Sequence, residues 1–158
     1  MTAPLWGGLI AALLLLALPV GTRAGALTAT RADGTEIARL AVPEGAGWCV
    51  LWRHSVRGFE VSDCYENRRG QMVLTRAHLP DFAAGLDHVP GRGRQVSDGQ
   101  GGYWILDIDE VVPGGAYILR PGGPEVDHRL QVGDRVVSLS AAAPRERVTI
   151  ALTGNTTP

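Results

Sequence analysis

Between Trp48 and Tyr65 apolar and polar residues alternate on either side of a short break at Val56-Arg57. No other feature constrains the fold so tightly. A period of two sends successive side chains to opposite faces of a strand. A two-residue turn at Val56-Arg57, between Ser55 and Gly58, sets Trp48 opposite Tyr65, Cys49 opposite Cys64, Trp52 opposite Val61 and Arg53 opposite Glu60. One face then carries Trp48, Val50, Trp52, His54, Phe59, Val61, Asp63 and Tyr65. The other carries Cys49, Leu51, Arg53, Glu60, Ser62 and Cys64. An apolar face backed by a mostly polar one is what a half-buried antiparallel pair requires. A slip of one residue would lose both the cysteine pair and an Arg53–Glu60 ion pair.

The rest of the chain reads in the same idiom. Strand-like runs cover Leu27 to Arg31, Glu36 to Val42, Gln71 to Leu79, Tyr103 to Val112, Ala116 to Arg120 and Arg147 to Leu152. His128 to Leu139 is another, interrupted at Gly133-Asp134. Turn residues such as Asp33-Gly34 and Arg69-Gly70 separate them. A helical period is hinted at only over Leu79 to Leu86. Pro80 to Gly102 reads as one long loop, carrying Asp87, His88, Arg92 and Arg94. Loops beyond about 12–15 residues are often functional, so a partner or ligand contact is expected there. The fold expected is all-β: one small antiparallel barrel or sandwich of eight or nine strands, over residues 27–154, with a disordered tail at 155–158.

Ahead of it stands a leader, residues 1–26. The run from Leu5 to Val20 is uncharged and rich in Leu and Ala, with Arg23 the first charged side chain. Its length of about 16 residues falls between a signal core and a spanning helix. Pro19 and the small residues Thr22, Ala24 and Ala26 favour a signal peptide cut after Ala24 or Ala26. The alternative is an uncleaved inner-membrane anchor facing the periplasm. An exported, periplasmic protein is expected, touching a membrane only through this segment if it is kept. The formal net charge is −1, and losing Arg23 with the leader makes the domain slightly more acidic. There is no basic face to neutralise phosphates, so nucleic acid is not an expected partner.

Cys49 and Cys64 are the only two cysteines. In an exported chain, a directly opposed pair is expected to form a disulfide. A redox role is not expected, because there is no Cys-x-x-Cys and no helix start nearby to acidify a thiol.

The segment from Trp52 through His54-Ser55-Val56 to Tyr65, then Phe82 to Leu86, then His128-Arg129-Leu130, resembles the bacterial domain-of-unknown-function family 1850. The resemblance spans about residues 35–152. It implies an exported accessory protein of tripartite ATP-independent periplasmic (TRAP) transporters of the TAXI type, whose fused membrane subunit or substrate-binding protein would be the partner. It carries no biochemical activity with it. His54, Ser55, Asp63, Phe82 and Gly85 fall on its motifs and are the expected binding residues. Arg57 stands where the family often has Glu, directly after His-Ser-Val.

Catalytic readings are weak on geometry. His54 and Ser55 are adjacent on a strand, so they face opposite sides. Asp63 lies roughly 13 Å along the strand from His54's partner Phe59, too far to complete a triad. His78, Asp81, His88 and His128 lack zinc spacing. Asp107 and Asp109, placed on one strand face, lack the pattern of a calcium loop. No catalytic residue, metal or cofactor is expected. A small-ligand-binding barrel, with Trp48, Trp52, Tyr103 and Trp104 lining its pocket, is the alternative function.

Overall fold

The computed structural model describes residues 25–80 and 90–154. Among the described residues, twelve strands form two antiparallel sheets. The smaller sheet contains β1 (Ala26–Arg31), β2 (Glu36–Ala41), β12 (Val148–Thr153) and β9 (Ala116–Leu119), in the order β2-β1-β12-β9. The larger contains β3 (Gly47–Arg53), β4 (Glu60–Arg68), β5 (Gln71–Leu79), β6 (Arg94–Ser97), β7 (Tyr103–Leu106), β10 (Arg129–Val132) and β11 (Arg135–Ser138). They run in the order β11-β10-β3-β4-β5-β7-β6, and the short β8 (Glu110–Val111) also pairs with β5.

Burial of alternate residues from both sheets holds the layers together. Leu27, Leu40, Val148 and Ile150 of the smaller sheet meet Trp48, Val50, Met72 and Leu130 of the larger in one cluster. Each is at most 4% exposed, and burying a side chain of this size contributes about 1.5–3 kcal/mol. A second cluster, Leu74, Ala77, Leu79, Tyr103, Ile105 and Ile108, packs against Tyr65.

The central hairpin has the expected register. Trp48 faces Tyr65, Cys49 faces Cys64, Trp52 faces Val61 and Arg53 faces Glu60. Cys49 and Cys64 are disulfide-bonded, with Cα atoms 4.1 Å apart. The turn is different. The strands end at Arg53 and Glu60, and Ser55 to Gly58 form a four-residue loop closed by His54 N–H to Phe59 O and Gly58 N–H to His54 O, both 2.8 Å. The favoured two-residue turns need positive φ at the first central position, and one of them at both, which β-branched Val56 resists. Gly58, at φ +74°, supplies the single left-handed residue instead.

The Arg53–Glu60 ion pair is also corrected. Glu60 pairs with Arg129, and Arg53 lies 3.9 Å from Asp127. Strand β10 runs along the free side of β3, so charged partners come from there.

The strand count exceeds the eight or nine expected, for three reasons. Asp107 and Asp109 adopt left-handed backbone, at φ 57° and 52°, which breaks Tyr103 to Val112 into β7 and β8. The two aspartates therefore do not share a strand face. Gly133-Asp134 separates β10 from β11, and the latter ends at Ser138, where Leu139–Ala142 turns into a short helix, α1. Within Pro80 to Gly102, Arg94–Ser97 forms a hairpin with β7.

The chain is engaged from Gly25 onward. Gly25 O accepts from Val42 N–H at 2.8 Å, and Ala26 pairs with both Ala41 and Thr153. The leader up to residue 24, the helical hint over most of Leu79 to Leu86, and the tail at 155–158 lie outside the described residues. Among the described residues no helix is long and apolar enough to cross a membrane.

Candidate functional site

Near β3 and β4 the two layers leave a cavity of about 130 Å³, lined by Val50, Trp52, Asp63, Tyr65, Tyr117, Leu119 and His128. Strand alternation places these residues. Val50 and Trp52 share the inward face of β3, Asp63 and Tyr65 that of β4, and Tyr117 and Leu119 that of β9, whose Ile118 points outward at 58% exposed. Between Cys64 and Tyr65 the β4–β5 register shifts by a bulge at Thr75, whose hydroxyl donates to Cys64 O at 3.0 Å. Bulges re-aim side chains and are common beside sites.

His128 is fixed on several sides. Its N–H donates to Ser140 Oγ at 2.8 Å, and its carbonyl accepts from the N–H groups of Leu139 and Ser140. Its Nδ1 accepts from Gly122 N–H at 3.1 Å, so the ring proton of the neutral form sits on Nε2. The ring stacks on Trp52, centroids 5.9 Å apart. Tyr65 stacks on Trp48 on one side and on Tyr117 on the other.

The electrostatics follow from burial. Asp63 lies opposite Val50 and Ala77, which offer no hydrogen bond. Desolvation holds its carboxyl above the ordinary range, with the charge of Arg92 pulling the other way. The Tyr65 phenol is pushed up to about 12, by burial first and then by the charge on Asp63. Burial also lifts the Tyr117 phenol well above its usual value and pulls His128 down, Asp127 opposing in the latter case. The Tyr117 hydroxyl is shut off from solvent and faces the Tyr65 phenol. The site thus brings together a carboxyl group held above its ordinary range, two phenols that keep their protons at neutral pH and an imidazole whose charged form is disfavoured. That set is equipped to bind. It contains no activated nucleophile, because the phenols keep their protons and His128 Nδ1 is occupied.

The sign of the Asp63 shift fixes a pH dependence. Unfolded, Asp63 ionises in the ordinary carboxylate range; folded, it ionises at higher pH. Its contribution to stability is therefore full in acid and is lost as pH rises through the folded value. Asp63→Asn should gain on the wild type between about pH 3 and about pH 7. Urea midpoints at both pH values check this, and a pH-independent difference would contradict it.

The motif residues divide. Asp63 lies in the cavity. His54 and Ser55 do not: His54 Nδ1 accepts from the N–H groups of Val56 and Arg57, at 3.3 and 3.2 Å, and its ring packs on Phe59. This histidine shapes the loop. Phe82 and Gly85 lie outside the described residues, as do Asp81, Asp87 and His88. Of the long-loop arginines, Arg92 makes a two-pronged contact with Glu110 at 2.8 and 2.9 Å, and Arg94 contacts Asp107 at 3.2 Å. With Arg68–Asp109 at 2.6 Å, each acid of the supposed strand face meets an arginine. His78 bonds Asp98 at 2.9 Å and stacks on Trp104. Among the described residues, no three His, Cys, Asp or Glu side chains cluster as metal ligands.

The four aromatic residues expected to share a pocket do not share one. Trp48 and Tyr103 are packed into separate core clusters. Trp52 lines the inner cavity, whereas Trp104 borders an open depression over the disulfide, beneath the guanidinium of Arg76. Tyr117 went unnoticed in the sequence. Its signal was an aromatic ring with a polar tip on the inward side of β9, one residue from outward Ile118.

The family model described as Domain of unknown function (DUF1850) matches residues 49–139, more than half of the chain. No curated protein and no solved structure matches it. The matched span holds the whole cavity lining: Val50, Trp52, Asp63, Tyr65, Tyr117, Leu119 and His128 all fall within it.

Proposed function

We propose, from the premise that the chain belongs to the DUF1850 family, that it is an exported, non-enzymatic accessory protein of a TAXI-type TRAP uptake system. One observation carries most weight. The separate segments that bear the family resemblance, Trp52 to Tyr65 and His128 to Leu130, converge on a single cavity through Trp52, Asp63, Tyr65 and His128. Convergence of distant segments on one rigidly held constellation is the mark of a binding site.

The Cys49–Cys64 disulfide agrees with export, since such bonds persist in oxidising compartments. The engagement of Gly25 and Ala26 in the smaller sheet favours leader cleavage after Ala24. A cut after Ala26 would remove the first strand residue. A second reading, a small-ligand-binding domain, draws on the cavity's polar lining.

The partner claim is tested by isolating the tagged protein from the membranes of uptake-competent cells. Enrichment of the fused membrane subunit or of the substrate-binding protein is expected. Recovery without either, from cells that express both, would count against it.

A further inference from the structure

We infer that the cavity between the sheets is a binding site for a small primary ammonium ion, held by Asp63 against the aromatic walls of Trp52, Tyr65 and Tyr117. The inference rests on the ligand-binding reading of the cavity and is independent of any transporter partner.

The argument is one of missing charge. Asp63 faces the cavity, and no hydrogen bond among the described residues reaches its carboxylate. A desolvated carboxylate without donors is costly unless a cation or donor group completes it. The charged and titratable groups around it are Arg92, Tyr65, Tyr117 and His128. Arg92 acts on Asp63 only through its field, and its guanidinium is gripped by Glu110 in a two-pronged contact. The phenols are neutral, and His128, at lowered pKa with Nδ1 occupied, adds no positive charge that would repel a cation.

The Tyr117 hydroxyl is shut off from the solvent space and faces the Tyr65 phenol, so its ring rather than its oxygen walls the ligand. Aromatic rings replace part of the water lost by a small organic cation. Size sets the ligand class. A volume of 130 Å³ holds about four waters at ~30 Å³ each and lies below the ~300–1,000 Å³ of sites for drug-sized ligands. A methylammonium-sized ion fits, whereas an amino acid with a long side chain does not. An anion of that size would meet Asp63 unscreened.

The probe is methylammonium chloride, titrated into the protein as isolated from cells. The readout is the indole and imidazole resonances in proton–nitrogen correlation spectra. Saturable shifts confined to Trp52 and His128, absent with sodium chloride and with sodium acetate at equal ionic strength, are expected. Asp63→Asn should abolish saturation while its spectrum stays folded. Saturation by acetate, shifts matched by sodium chloride, or unchanged affinity in Asp63→Asn would each overturn the assignment. None of these outcomes bears on whether the membrane subunit co-purifies.

Discussion

Asn67→Ala should lower the unfolding free energy by about 3 kcal/mol, one of the largest effects expected of any polar side chain in the domain. Asn67 is fully buried. Its side-chain amide donates to Val42 O at 2.8 Å, and its carbonyl accepts from Gly70 N–H at 2.9 Å. Its backbone N–H donates to Ala46 O, and its backbone carbonyl accepts from Gly45 N–H. One residue thus ties the segment entering β3 to the β4–β5 turn. Val42 is itself fully buried, so truncation leaves its carbonyl without a donor and out of reach of water. An orphaned buried group costs about 1–3 kcal/mol, and the void adds to it. For a domain of this size the melting temperature should fall by about 10 °C. Asn67→Asp separates the contributions. It keeps an acceptor for Gly70 N–H but sets a carboxylate against the Val42 carbonyl, so it should be destabilised more at neutral than at acidic pH. Thermal unfolding of the two variants at both pH values checks this. A loss below about 1 kcal/mol for Asn67→Ala would mean that water reaches Val42.

Removing the disulfide, by Cys49→Ala with Cys64→Ala, should cost about 2 kcal/mol without changing the fold. Cross-linking residues this far apart is worth about 3 kcal/mol in the chain-entropy model. The hairpin already restrains the loop through its own ladder, which reduces that figure. Cys64 is 4% exposed, and its loss adds a small packing term. A fall of about 7 °C in melting temperature is expected, with the same far-ultraviolet dichroism before unfolding. Unfolding on reduction alone would show that the hairpin depends on the bond. No change at all would show that the two sulfurs are not joined in the isolated protein.

The register of this hairpin was legible because three signals agreed: alternation over Trp48 to Tyr65, one cysteine from each strand on the polar face, and a break between the strands. Its loop was not, since Val56-Arg57 sits where a turn fits by counting but not by backbone conformation. Strand β6 hid in a run of Gly, Pro and Arg whose composition resembles a loop; it is a strand because β7 offers it an edge. Asp63 could be singled out from a motif, yet its surroundings could not. They come from β9 and from the turn before β10, some 50 residues or more further along the chain, and depend on how two sheets pack. His54-Ser55 shows the converse: a legible motif whose histidine is spent on holding its own loop. Ion pairs were the least legible, because Arg53, Glu60 and Arg129 had several acids or bases within reach and the choice among them follows strand order.

Uptake of labelled solute by the TAXI-type system, in cells lacking this gene and in cells complemented with it, tests the accessory role most directly. With the membrane subunit and substrate-binding protein at unchanged levels, the account predicts reduced uptake without the gene and recovery with it, and it predicts that Asp63→Ala fails to restore the rate. Full uptake in the gene's absence would contradict it.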